Sequence, residues 1–176
     1  KLARLAGCRD YRTEFQDARH LAYPDATFDL VYSISVIEHI PDQGDTEALQ
    51  ECHRVLRPGG LLIVEVPYRR RHEEIFARYD SKGDPLEKPQ FYERYYDDNW
   101  LRTRLESVRG LRVIERKILG EWLPVDPWIA TDRLPRWLRI PLLPLEPWLA
   151  LFNYWIAGNA SSGWPLAALL VYRKEN

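Results

Sequence analysis

Phe28 to Pro67 is the stretch that most restricts what this chain can fold into, because its hydrophobic period changes twice. Phe28-Asp29-Leu30-Val31-Tyr32-Ser33 is a short apolar run rich in β-formers. From Asp45 to Leu56 the apolar residues are Ala48, Leu49, Cys52, Val55 and Leu56, a spacing that lines one face of a helix. Pro58-Gly59-Gly60 then stops that helix, since proline cannot continue it and glycine accepts the angles of a helix exit. Leu61 to Val66 is almost continuously apolar, as suits a strand covered on both faces. Strand, helix and second buried strand make a right-handed βαβ crossover in a parallel sheet.

The rest of the chain hangs on that unit. Lys1 to Gly7 reads as the end of a helix, and Tyr11 to Phe15 as a short strand delivering Asp17-Ala18 at its carboxyl end. On the residues alone Asp17 makes an Asx turn there. Beyond Pro67 the chain leaves the sheet at its carboxyl end, which puts Tyr68 and Arg69-Arg70-Arg71 at the mouth of any site. The arginines either grip an anionic group through guanidinium forks or form a solvated charge run with Glu73 and Glu74 as partners. Ser81 to Pro89 is a polar connector. Phe91 to Tyr96 is dense in aromatics, a pocket wall or core packing. Asp97 or Asp98 then caps a helix carrying Leu101, Leu105 and Val108 and ending at Gly110. Leu111 to Leu119 is a strand, and Leu166 to Arg173 is the last one.

Between those two strands the composition shifts. Trp122–Pro165 holds six of the 7 tryptophans and seven of the 13 prolines, with leucines in the gaps. The segment is too apolar for a disordered tail. Its longest proline-free apolar run, Trp148 to Ala157, gives about 15 Å of helix, half of the ~30 Å hydrocarbon core, so it does not span a membrane. An ordered, partly helical insertion that covers the sheet, meets a second copy or lies on a bilayer surface is expected.

A chain of 176 residues suits one domain: residues 1–121 with sheet and helices, 122–165 as the insertion, 166–176 as the last strand. A net charge of −1 excludes recruitment of nucleic acid by a global field. The 2 cysteines, with Cys52 on the apolar helix face, give neither a disulfide framework nor a metal cluster and favour a reducing cytoplasm. No signal peptide opens the chain, and with Met 0 throughout, Lys1 reads as the middle of a longer protein.

Asp17-Ala18, Leu21-Ala22-Tyr23-Pro24-Asp25, Phe28-Asp29-Leu30-Val31, Ile37-Glu38-His39-Ile40 and Arg54-Val55-Leu56-Arg57-Pro58-Gly59-Gly60 occur in that order. This resembles the second half of a class I S-adenosylmethionine-dependent methyltransferase of the small-molecule, quinone-biosynthesis type. The resemblance implies a partial Rossmann-like α/β sheet, mostly parallel with an antiparallel last strand, and S-adenosylmethionine as cofactor. It implies that the Asp17 carboxylate accepts from the adenine amine while Ala18 N–H donates to the ring, and that the backbone of Ser33 and Ile34 lines the methionine part. It places Glu38 and His39 at the reacting methyl, with His39 as base toward an acceptor hydroxyl. It places Tyr68, Arg69 and Tyr95 around the acceptor. Some relatives bind a divalent ion at this acidic-plus-His patch, using another acidic residue three positions before the glutamate; that position is Ser35 here, and no metal is expected. A single histidine after a strand is also a common structural residue.

The family's glycine-rich loop and ribose-binding carboxylate belong to the crevice at the carboxyl ends of the sheet. None of the 9 glycines makes a G-x-G. The fragment is therefore expected to bind cofactor weakly and to be inactive alone, and Phe28–Tyr32, stripped on one side, to be covered in a homodimer or by Tyr11–Phe15. The competing expectation is a binding or membrane-surface scaffold that uses the Trp/Leu/Pro insertion.

Overall fold

The computed structural model describes residues 11–80, 82–121, 148 and 164–175. The expectations for Lys1–Gly7 and for nearly all of Trp122–Pro165 lie outside these residues. In chain order the described elements are β1 (Phe28–Ile34), α1 (Gly44–Val55), β2 (Leu56–Pro67), β3 (Glu73–Tyr79) and β4 (Pro85–Tyr95). Then come α2 (Asp98–Trp100), which runs into a π-helical turn over Leu101–Leu105, β5 (Leu111–Glu121) and β6 (Trp164–Lys174).

The main sheet has the order β1-β2-β6-β5. β1 and β2 are parallel, and β6 is antiparallel to both β2 and β5. β1, β2 and β5 thus share one direction and the last strand opposes them, the mixed α/β sheet expected. β1 leads into α1 and α1 into β2, which is the crossover read from Phe28–Pro67.

One face of the sheet carries the core. Leu62, Val64 and Val66 of β2 and Ala168, Leu170 and Tyr172 of β6 alternate inward and meet Ala48, Leu49 and Cys52 of α1 and Leu101 and Leu105 of the π turn. Each fully buried leucine here contributes roughly 1.5–3 kcal/mol. Asp97 caps α2 by accepting from Trp100 N–H at 2.9 Å, as its position before the helix requires. Gly110 ends the turn with φ +82°, and a Cβ there would lie 2.5 Å from His53 Nε2.

Three expectations are corrected. Helix α1 ends at Val55, before Pro58-Gly59-Gly60, because Leu56 is already extended at φ −72°, ψ 143°. The exit is satisfied by Lys174 Nζ, which donates to His53 O at 2.8 Å and Leu56 O at 2.7 Å. Pro58-Gly59-Gly60 instead forms an irregularity inside β2, where the register jumps from Phe28↔Leu56 to Leu30↔Leu61. Gly59 has φ +76°, and a Cβ on Gly60 would meet Arg57 O at 2.9 Å and Asp29 O at 3.1 Å. Second, Tyr11–Phe15 forms no strand, and Phe15 is fully exposed; only an isolated bridge, Asp17↔His20, follows it. Third, the polar connector Ser81–Pro89 is largely strand: β3 and β4 pair antiparallel as a hairpin, with Phe76 edge-on to Phe91 at 6.0 Å. Pro85 opens β4 and Pro89 lies where the β3–β4 register shifts, without a cross-strand partner, positions at which a ribbon tolerates the missing N–H.

β1 pairs only with β2 among the described residues, and its other face is open: Leu30, Tyr32 and Ile34 are exposed, Tyr32 to 72%.

Candidate functional site

The site is built where β1 ends. Ser35 takes φ +49°, a left-handed conformation that non-glycine residues rarely hold, and is fixed by β2: its N–H donates to Glu65 O at 3.1 Å and its Oγ to Glu65 Oε2 at 3.0 Å. The chain then winds a single 3-10 turn, Ile37–His39. Ile37 enters the core and carries its neighbour inward, so Glu38 is only 1% exposed. Glu38 Oε2 has no hydrogen-bond partner among the described residues. Burial pushes the Glu38 carboxyl above its usual range and outweighs the opposing pull of a backbone hydrogen bond and of His39, while Glu65 and Glu93 add smaller pushes in the same direction as burial. His39 faces out, with Nε2 3.7 Å from Glu38 Oε1 and Nδ1 2.7 Å from the Tyr92 carbonyl.

A cleft of about 550 Å³ opens beside this turn, lined by His39, Ile40 and Pro41 on one side and by Phe15 to Asp17 and Arg19 on the other. Asp17 makes the Asx turn, accepting from Arg19 N–H at 2.9 Å. Its carboxylate also grips the Arg19 guanidinium, with Nη2 to Oδ2 at 2.7 Å, and these bonds bring its pKa down to about 2. Asp17 is thus a permanent anion on the cleft wall, and Ala18 packs against the core beside it. Ser33 is buried on β1, its Oγ without a partner among the described residues, whereas the Ile34 side chain points to the open face. The cleft brings Asp17 and His39 together.

A model of the methyltransferase domain family matches residues 2–64. The chain is 31% identical over 126 residues to a 2-methyl-6-phytyl-1,4-hydroquinone methyltransferase of Synechocystis sp., covering 69% of this chain and 36% of that one. It is 47% identical over 58 residues to a probable S-adenosylmethionine-dependent methyltransferase of Mycolicibacterium smegmatis, covering 30% and 22%. The strand order, the βαβ unit and the matched residues converge. Residues 2–64 match the methyltransferase domain family, and the chain is similar to S-adenosylmethionine-dependent methyltransferases over part of its length. Its fold is that of the solved [4+2]-cyclase SpnF, with TM-score 0.55 and 21% identity over 99% of this chain and 61% of that one. The chain spans well under half the length of these curated relatives.

The residues expected around the acceptor do not line this cleft; they meet one another at the root of the β3–β4 hairpin. Tyr68 is buried in the core cluster, bridged to Tyr96, and burial raises its pKa. Arg69 lies 3.6 Å over the Tyr95 ring and pairs with Glu73, so its guanidinium is already engaged, while Arg70 and Arg71 are exposed. Tyr95 is half-buried at the root of the hairpin.

Sequence reasoning missed a buried ionic knot behind the site. Asp45 and Arg94 are fully buried, with Arg94 Nη1 3.0 Å from Asp45 Oδ2. The same Asp45 oxygen accepts from Tyr96 Oη at 2.7 Å and Arg104 Nε at 2.9 Å. Burial alone pushes the Asp45 carboxyl up; Arg104, Tyr96 and Arg94 outweigh it and hold the pKa below the usual range. The available signal was an arginine inside the aromatic run Phe91–Tyr96, where a core strand has no use for a charge without a buried partner.

Proposed function

We propose that the chain forms part of an enzyme that methylates a small, apolar or lipid-like acceptor with S-adenosylmethionine. The observation that carries this is the cleft at the carboxyl end of β1, which places the Asp17 anion opposite His39. The residues fit the cofactor: a carboxylate and the next backbone N–H suit adenine, and the orphaned Ser33 Oγ and Glu38 Oε2 are buried polar atoms that a polar ligand would satisfy. In this reading Asp17 and Ala18 hold the adenine and the backbone of Ser33 and Ile34 lines the methionine part. Bound there, S-adenosylmethionine supplies an electrophilic methyl on a sulfonium sulfur. His39 Nε2 takes the proton the acceptor hydroxyl loses, and the Glu38 carboxyl beside it steadies the imidazolium formed. Tyr68, Arg69 and Tyr95 belong to the framework on the acceptor side. The catalytic demand is mainly alignment and exclusion of water, which few side chains can meet. The apolar character of the acceptor is supported by the Trp/Leu/Pro composition of 122–165 and by a relative named for a phytyl-bearing hydroquinone.

Two substitutions, made in the whole enzyme of which this chain is part, separate the roles. Asp17→Ala is expected to weaken S-adenosylhomocysteine binding about tenfold to a hundredfold, because the adenine amine loses its acceptor. His39→Ala is expected to lower methyl transfer about a hundredfold or more with cofactor affinity unchanged. Calorimetry and labelled-methyl transfer measure the two. Equal cofactor affinity in Asp17→Ala, or undiminished transfer in His39→Ala, removes the corresponding role.

The open face of β1 supports a homodimer as the working form, since Leu30, Tyr32 and Ile34 together are apolar surface that water covers poorly. Light scattering giving a monomer mass would remove it. A lipid surface met through 122–165 is the alternative cover, and flotation with lipid vesicles tests it. No helix among the described residues is long and apolar enough to cross a membrane.

A further inference from the structure

The β3–β4 hairpin lies outside the βαβ unit and the cleft, yet its second strand reaches the one histidine on the cleft wall. His39 Nδ1 is 2.7 Å from the Tyr92 carbonyl, and the Tyr92 ring meets the imidazole edge-on at 5.3 Å. A carbonyl oxygen only accepts, so this bond forms when Nδ1 carries the proton. In the neutral ring the lone pair then belongs to Nε2, the nitrogen on the Glu38 side.

The strand is held in place for that contact. Two residues beyond Tyr92, the buried Arg94 donates from Nη2 to Ile40 O at 2.8 Å and from Nη1 to Asp42 O at 3.0 Å and Asp45 Oδ2 at 3.0 Å. Ile40 is the residue that follows His39. At the hairpin root, Tyr96 N–H donates to Pro67 O at 3.0 Å and Arg69 N–H to Tyr96 O at 2.8 Å. The hairpin is thus tied to β2 at its base and to the His39 turn through one guanidinium.

We propose that Tyr92 and Arg94 are positioning residues: the Tyr92 carbonyl fixes His39 as the Nδ1–H tautomer, and Arg94 clamps β4 to the His39 turn so that Nε2 is presented to the cleft. This rests on the reading of His39 as the base, but its test does not. The chain is labelled with 15N-histidine, and long-range proton–nitrogen correlations are recorded well above the ordinary histidine range. His39→Gln identifies the His39 signals. The wild type is expected to show His39 as a single Nδ1–H tautomer. In Arg94→Met the His39 pattern is expected to shift to a mixture of tautomers while those of His20 and His53 stay unchanged. If Arg94→Met does not fold, Tyr92→Gly replaces it; it keeps the carbonyl but frees the backbone and removes the ring, with the same mixture expected. A wild type with Nε2 protonated overturns the proposal, and so does a folded variant whose His39 remains a single Nδ1–H tautomer. Loss of the base role shows separately, as methyl transfer that survives His39→Ala while the tautomer result stands.

Discussion

Glu38 shows how one buried residue can cost stability. Its carboxyl is buried and half-partnered, and burial raises its pKa above the unfolded value. Above the unfolded range the native state therefore holds more protons than the unfolded one, and stability falls as pH rises through the raised pKa. Glu38→Gln removes the charge that must form in that window. The variant is expected to be more stable than wild type at neutral pH by roughly 1 kcal/mol or more, with the difference shrinking toward acid. Thermal melts across pH measure this, and a variant that is less stable at neutral pH would show that Glu38 has a partner worth keeping. The His39 backbone and the Asp17 turn were legible in the sequence because each follows a local signal: a strand end, and an aspartate two residues before the N–H that donates to it. The burial of Glu38 was not, since it follows from Ile37 plunging into a core assembled from distant strands.

At the scale of elements, the knot around Asp45 joins helix α1, strand β4 and the π turn. Asp45→Ala would leave Arg94 charged and fully buried with one partner fewer, and breaking such a pair costs about 3–5 kcal/mol. Denaturant unfolding of Asp45→Ala measures that loss, and a change under 1 kcal/mol would mean that Arg94 finds a substitute among the carbonyls it already touches. The Asp45 pKa is depressed, so this contribution is present above the ordinary carboxylate range and disappears as pH falls through the depressed value. Gly110→Ala tests the exit of the π turn: positive φ and the His53 ring both oppose a side chain there, and a loss of at least ~1 kcal/mol is expected from the same unfolding experiment. Hydrophobic period made β1, α1, β2, β5 and β6 readable, whereas the Pro58-Gly59-Gly60 punctuation marks a bulge inside β2 rather than the end of α1. The hairpin escaped because its second strand carries Pro85, Pro89 and several charges, and its stability comes from Arg94 reaching across to another element rather than from its own alternation.

For the whole molecule, the strand order β1-β2-β6-β5 could be anticipated only through the family resemblance; nothing local says that β6 inserts between β2 and β5. The cleft beside the carboxyl end of β1 is lined by Asp17 and His39, and the carboxyl ends of the strands are where an open α/β sheet receives its ligand. The most direct test is to titrate S-adenosylhomocysteine into the 15N-labelled chain and map amide shift changes, a measurement that registers even weak binding. The changes are expected to concentrate at Asp17, Ala18, Ser33, Ile34 and His39, to leave the hairpin tip at Lys82–Asp84 unmoved, and to fade in Asp17→Ala. Changes spread over the hairpin tip and β5, or none at the end of β1 at saturating ligand, would contradict the placement of the cofactor in this cleft.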